Sequence, residues 1–161
     1  MKLLRAAAVV ICGSLLPLLL TSCDLWVPQS TLTNGETSDG VSGQVGDVYV
    51  ANAVLITDSR DANLVVSLVN QTSRTVDVSV VDGANQTATT VQARAGLTQI
   101  GTPGNQIVIF SDVNAPAGSL SEVYFVVGGH TGLLLDVPVL DDDQPQYRDL
   151  GPGSVRSSQE S

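Results

Sequence analysis

The stretch Val76-Asp77-Val78-Ser79-Val80 places valine at every second position. That is the period of a β-strand with one buried and one wet face. The same period recurs along the chain. Leu64, Val66 and Leu68 share a face within 62–70, and Val123, Phe125 and Val127 oppose Glu122 and Tyr124. Near the end Leu133, Leu135, Val137 and Val139 oppose Asp136 and Pro138. No stretch between Asp47 and Leu140 sustains apolar residues at i, i+3, i+4 and i+7, so helices are not expected there. The interruptions are turn formers: Asp58-Ser59-Arg60-Asp61, Asp82-Gly83-Ala84-Asn85, Gly101-Thr102-Pro103-Gly104-Asn105, Asn114-Ala115-Pro116-Ala117-Gly118 and Gly128-Gly129-His130. Strands are predicted near 47–56, 62–70, 75–82, 86–94, 106–110, 120–128 and 132–140. About seven strands in roughly 95 residues, broken by turns at short intervals, predict an all-β, Greek-key, Ig-like β-sandwich. Pro138 has no N–H for a ladder, which places the last strand at a sheet edge there. With aromatics at only 4%, the core is expected to be aliphatic.

On either side of this domain, 47–140, the pattern dissolves. Residues 23–46 are rich in Ser, Thr, Gly, Gln and Asn and read as a flexible tether; about 22 such residues reach roughly 25 Å. Residues 141–161 begin with Asp141-Asp142-Asp143 and continue polar. They hold too little apolar surface to offset their ordering entropy and are expected to be a disordered tail.

The N-terminus has a different character. Lys2 and Arg5 precede an apolar run from Ala6 to Leu20. The run is too short to cross about 30 Å of hydrocarbon, and a charged start before a short apolar stretch reads as a secretory signal. It ends in Leu20-Thr21-Ser22-Cys23, which resembles the bacterial lipobox. The resemblance implies a signal peptide over 1–22, cleavage between Ser22 and Cys23, and acyl chains such as palmitate on Cys23. An uncleaved short anchor and an ordinary signal cut elsewhere are the plainer alternatives. Two acyl chains hold a protein stably at a bilayer, because each buried CH₂ contributes about 0.8 kcal/mol. The expected place is therefore the extracytoplasmic face of the cell membrane. Trp26 suits the headgroup level, a place packed on the domain, or a simply mobile position in the tether.

Charge and cysteine usage exclude several classes. Seven Lys and Arg stand against 16 Asp and Glu, a net charge of −9. Removal of Lys2 and Arg5 with a signal leaves no lysine, so neither nucleic acid nor an anionic lipid surface is an expected partner. Of the two cysteines, Cys12 would leave with the signal and Cys23 would be acylated, so no disulfide or disulfide-linked partner is expected.

Each chemistry-bearing residue has a bland alternative beside its functional one. His130, the only histidine, suits a proton carrier or a lone metal ligand, but in a Gly-rich turn it reads as an ordinary turn residue. A serine triad would need the same His, and no Gly-x-Ser-x-Gly elbow occurs. Asp141-Asp142-Asp143 offers hard oxygen ligands for Ca²⁺, yet lacks the Gly and Glu of an EF-hand loop and reads as a solvated acidic run. Asp58, Arg60 and Asp61 read as hairpin formers. Asn70-Gln71-Thr72 and Asn85-Gln86-Thr87 match the glycosylation triplet and read as strand-end turns. No carboxylate pair stands beside a His, Tyr or Lys that would complete an acid–base machine. The expectation is a non-enzyme with no cofactor and no metal.

Several segments carry a family resemblance: Val54-Leu55-Ile56, Leu68-Val69-Asn70-Gln71, Gly101-Thr102-Pro103-Gly104-Asn105-Gln106-Ile107-Val108 and Val137-Pro138-Val139. They resemble the LpqE-type lipoproteins of actinobacteria, within the wider group that has a periplasmic copper-chaperone (PCuAC-like) fold. The resemblance covers roughly residues 47–140, and it implies a cupredoxin-like β-sandwich. It also implies association with respiratory oxidase complexes or a role in their assembly. Copper-binding relatives hold Cu(I) with Met and His, whereas here the only methionine is Met1 and the only histidine His130. No copper ligand is carried over. The leading expectation is a lipid-anchored accessory module that contacts another cell-envelope protein. A copper chaperone or a small-ligand carrier is the alternative.

Overall fold

The computed structural model describes residues 39–113 and 115–159. The readings for the signal peptide, Ser22, Cys23 and Trp26 lie outside the described residues. Within them the alternating segments form nine strands. These are β1 (Val41–Val45), β2 (Val48–Thr57), β3 (Ala62–Asn70), β4 (Val76–Asp82), β5 (Ala88–Ala93), β6 (Gly96–Ile100), β7 (Ile109–Phe110), β8 (Leu120–Val127) and β9 (Leu133–Asp141). The all-β expectation holds. The strand count rises from seven to nine, because β1 lies in the stretch assigned to the tether and β6 in one assigned to a loop. Both are short, and neither shows the valine alternation. Their partners define them: β1 pairs with β2 and β6 with β3.

The strands follow one path, β5-β4-β8-β9-β2-β3-β6, with β1 beside β2 and β7 beside β3. Every pairing is antiparallel except β2 with β9, so the sheet is mixed. The sheet curls until its ends nearly meet, giving a barrel-like body. Gln106 spans the remaining seam: its side-chain oxygen accepts the Gln92 N–H at 2.9 Å and its amide donates to the Gln92 carbonyl at 2.9 Å. One side chain thus imitates a strand neighbour and satisfies part of the exposed edge of β5.

β9 refines the expectation for Pro138: the strand as a whole is central, while at Pro138 itself it is paired with β8 alone. It pairs with β8 from Leu133 to Pro138 and then with β2 from Val139 to Asp141. The Val139 N–H donates to the Ser119 carbonyl on the β8 side. Alternation therefore turns the proline nitrogen to the other side, one residue before pairing with β2 begins. Proline sits at the last position of β9 before pairing with β2 is added, with its nitrogen on the side that has no ladder partner there.

Inward side chains fill the body. Val48, Val50, Leu55, Leu64, Leu68, Val78, Val80, Ile100, Val123, Phe125, Val137 and Val139 are inaccessible. Phe125 is the largest of them; apart from it and Phe110 the core is aliphatic, as composition predicts. At Gly101 φ is +80° and an added Cβ would collide with the Leu64 carbonyl. Only glycine lets β6 end so close to β3.

The C-terminal segment is the main correction. Expected to be disordered, residues 141–159 extend β9 and then form a 3-10 turn (Arg148–Leu150) and the short helix α1 (Pro152–Ser157). Pro152 and Val155 are buried. Asn63 donates to the Leu150 carbonyl at 2.9 Å, Arg156 pairs with Asp61 at 2.7 Å, and Tyr147 donates to the Asp39 carboxylate. The tail has few apolar residues, but it docks them on a prepared face. In β2 the residues from Val54 to Thr57 are all buried, and so are Ala62, Asn63 and Leu64 in β3. Leu55 and Leu64 point into the core; their neighbours Ile56 and Asn63 pair with each other on the outer face, which the segment covers.

Candidate interaction surfaces

The β8–β9 turn holds His130, whose N–H donates to the Val127 carbonyl at 3.1 Å. Its exposed ring lies over Gly46, where a Cβ would come within 2.7 Å of it. A hollow of about 300 Å³ opens here, lined by Asp47, Thr72, Arg74, Asp77, Gly129 and His130. Asp47, Arg74, Asp77 and His130 are all exposed, and none forms an ion pair with another among the described residues. Asn70 builds one wall as a turn residue. It donates to the Arg74 and Ala93 carbonyls and accepts from the Thr72 N–H and hydroxyl. Its hydrogen bonding capacity is spent on the fold, which explains the Asn70-Gln71-Thr72 triplet. Asp82 likewise accepts the Ala84 and Asn85 N–H groups and shapes the second triplet's turn.

The Asp58-Ser59-Arg60-Asp61 turn joins β2 to β3 as expected. Asp58 accepts the Arg60 and Asp61 N–H groups, at 3.1 and 2.8 Å. The structure adds what spacing does not show. Asp61 also accepts the Asp112 N–H and the Arg156 guanidinium, while Arg60 pairs with Asp112 at 2.9 Å. The Arg156 hydrogen bond, above all, holds the Asp61 carboxyl below the usual carboxylate range.

Asp141, Asp142 and Asp143 bring their oxygens within 4.8 Å of one another. Asp142 is packed against Gly151, where no side chain intervenes. Burial, followed by repulsion from Asp141, Asp143 and Asp58, raises its pKa. Asp141 accepts the Asp143 N–H, so the run is also a local turn. Its place in the fold is the start of the docked segment.

The outer face of β4, β5, β8 and β9 contrasts with these polar features. Register aligns Ala88 with Val81, Val81 with Tyr124, and Tyr124 with Leu134. All four lie opposite the inward residues of their strands, so they form an apolar row across four strands. Leu134 is 45% exposed, and Val126 lies beside the row. One step along the strands Glu122 faces Asp136, both exposed, and Asp77 stands beyond the other side. Like charges directly opposite each other weaken strand pairing. Sequence alternation separates the two faces of each strand. Register alone aligns the four apolar side chains, so the row was missed.

The described residues offer few soft donors for copper. Cu(I) favours thiolate, thioether and imidazole ligands, and among the described residues His130 is the sole imidazole and there is no Cys or Met.

No protein-family model matches the chain, and no curated protein matches it. Among solved structures it is similar to the apo PCuAC domain of PmoF2, with 17% identity and TM-score 0.48 over 65% of this chain and 98% of that one. The copper-bound PCuAC domain from PmoF2 gives 19% identity and TM-score 0.45 over 63% and 98%. The apo PCuAC domain from PmoF1 gives 15% and 0.48 over 62% and 98%. The likeness is one of chain course at low identity and assigns neither copper nor activity to this chain.

Proposed function

We propose that this chain is a non-enzymatic binding module, lipid-anchored through Cys23 on the extracytoplasmic face, that contacts another cell-envelope protein. The observation that carries the reading is the apolar row Ala88–Val81–Tyr124–Leu134 on the outer face of the sheet, in a chain with 16 acidic and 7 basic residues. A strongly anionic surface keeps a protein dispersed, and an apolar patch set in such a surface marks a contact site. The same reading treats the curled sheet as a cupredoxin-like sandwich and the chain as LpqE-type. It makes respiratory oxidase complexes the first partners to examine.

The anchor has its own test. Cys23→Ala is expected to leave the precursor unprocessed or to release the protein from the membrane fraction. A variant that is still processed and still membrane-bound would refute the lipobox. The binding role is tested by solubilising membranes and purifying the tagged full chain. Stoichiometric recovery of one envelope protein is expected, and specific recovery of nothing would overturn the reading.

A further inference from the structure

We infer that the outer face of β4, β5, β8 and β9 docks a segment of the partner protein that carries Arg or Lys next to an apolar side chain. This rests on the binding-module reading and specifies its surface and the partner's chemistry.

The row Ala88–Val81–Tyr124–Leu134 crosses three strand spacings, roughly 14 Å. Glu122 and Asp136 lie two residues further along their strands, about 7 Å away, and Asp77 lies on the opposite side of the row. An apolar side chain seated on Tyr124 and Leu134 therefore has two carboxylates within reach of a neighbouring Arg or Lys. Glu122 and Asp136 oppose each other across the strands, and neither has an ion-pair partner among the described residues. The ion pairs there are Arg60 with Asp112 and Arg156 with Asp61. A cationic group between Glu122 and Asp136 would relieve their repulsion, and a bidentate guanidinium suits the pair best.

Other occupants lack this complementarity. A second copy brings the same carboxylates to the contact, so its charges repel. Residues 24–38 contain Asp24 and Glu36 but no Arg or Lys. The C-terminal segment is docked on the outer face of β2 and β3. Among the described residues the chain covers one outer face and leaves this one uncovered.

The first test uses the full-length acylated chain in detergent and a six-residue peptide that alternates arginine with leucine or tryptophan. Methyl NMR shifts are expected at Val81, Val126 and Leu134, with affinity falling as salt rises. The double variant Glu122→Gln/Asp136→Asn is expected to weaken binding at least about tenfold, as loss of paired charges does. Asp141→Asn/Asp143→Asn serves as the control and should change it less than twofold. Equal loss in both variants, or shifts spread over the whole acidic surface, would overturn the inference. So would equal binding of a matched peptide with glutamate in place of arginine.

The second test places a photoreactive side chain at Ala88 or, as control, at Gln99 in cells. A cross-link from position 88 to a segment with Arg or Lys beside an apolar residue is expected. Capture of a second copy, of this chain's own leader, or of a segment lacking basic residues would refute the inference. Cross-links to an envelope protein from position 99 alone would refute this face yet preserve the binding-module reading. Silence at both positions would refute both.

Discussion

The outer faces of β2–β3 and of β4–β8–β9 begin from similar material and end differently. On the first, Ile56 and Asn63 are wholly inaccessible because the segment from Asp142 to Gln159 lies over them. On the second, Tyr124 and Val81 are half-buried and Leu134 is exposed. The covered face carries a polar fastening: Asn63 donates to both Gly101 and Leu150 carbonyls, at 2.8 and 2.9 Å. The open face carries uncompensated carboxylates instead. The covered face spends the Asn63 amide N–H groups on internal hydrogen bonds and leaves its buried Oδ1 without a partner among the described residues, whereas the open face leaves its carboxylates outside any ion pair there.

The comparison can be broken most severely at Gly101. Gly101→Ala forces a Cβ into the Leu64 carbonyl at positive φ. Displacing β6 and the carbonyl that holds Asn63 is expected to cost about 3 kcal/mol or more, read as a lower urea midpoint.

Val155→Asp comes next. It puts a carboxylate at an inaccessible position of α1 and is expected to cost about 2–3 kcal/mol. Limited proteolysis should then cleave the chain beyond residue 141, while the NMR signals of Tyr124 and Leu134 stay unchanged.

Acid titration sharpens the same contrast. The folded pKa of Asp61 is lowered, chiefly by Arg156. Its stabilisation is present above the unfolded carboxylate value and is lost as pH falls through the folded value. Asp142 behaves oppositely: burial raises its folded pKa. Its charge destabilises the fold at neutral pH, and the penalty is relieved as pH falls through that raised value. Asp142→Asn is expected to be more stable than the parent near pH 7 by less than about 1 kcal/mol. The difference should shrink as pH falls and the Asp142 carboxyl becomes protonated in both the folded and the unfolded chain, and urea midpoints across about pH 3–8 would show it.

Leu134→Ser should have the smallest effect on stability, within about 0.5 kcal/mol, as substitutions at exposed positions usually do. Its consequence is expected in binding. A large loss of stability at Leu134 would mean that the open face is part of the fold's own support.

Much of the architecture was legible in the sequence. The strand expected at 62–70 is observed as Ala62–Asn70, and the one at 75–82 as Val76–Asp82. Their two-residue period reports the pleat directly. Ala53-Val54-Leu55-Ile56 carried a further signal: an unbroken apolar run marks a strand buried on both faces, and here it marks the bed of the C-terminal segment. That segment escaped because its apolar residues are few and scattered, Leu150, Pro152 and Val155 among them. Pro138 was legible only locally, since a missing N–H identifies one unpaired side of a residue and not an edge of the sheet.

Periodicity, turn formers and composition determined which side chains of the alternating strands turn inward, where most of the chain reversals fall, and that the core is mainly aliphatic. These follow from backbone geometry over a few residues. Only the tertiary structure decided which strands are neighbours, that Glu122 faces Asp136, that Ala88, Val81, Tyr124 and Leu134 fall into one row, and which outer face the chain covers. Those depend on register and on contacts between residues as distant as Asn63 and Leu150. A shift of one residue in any pairing would exchange the faces.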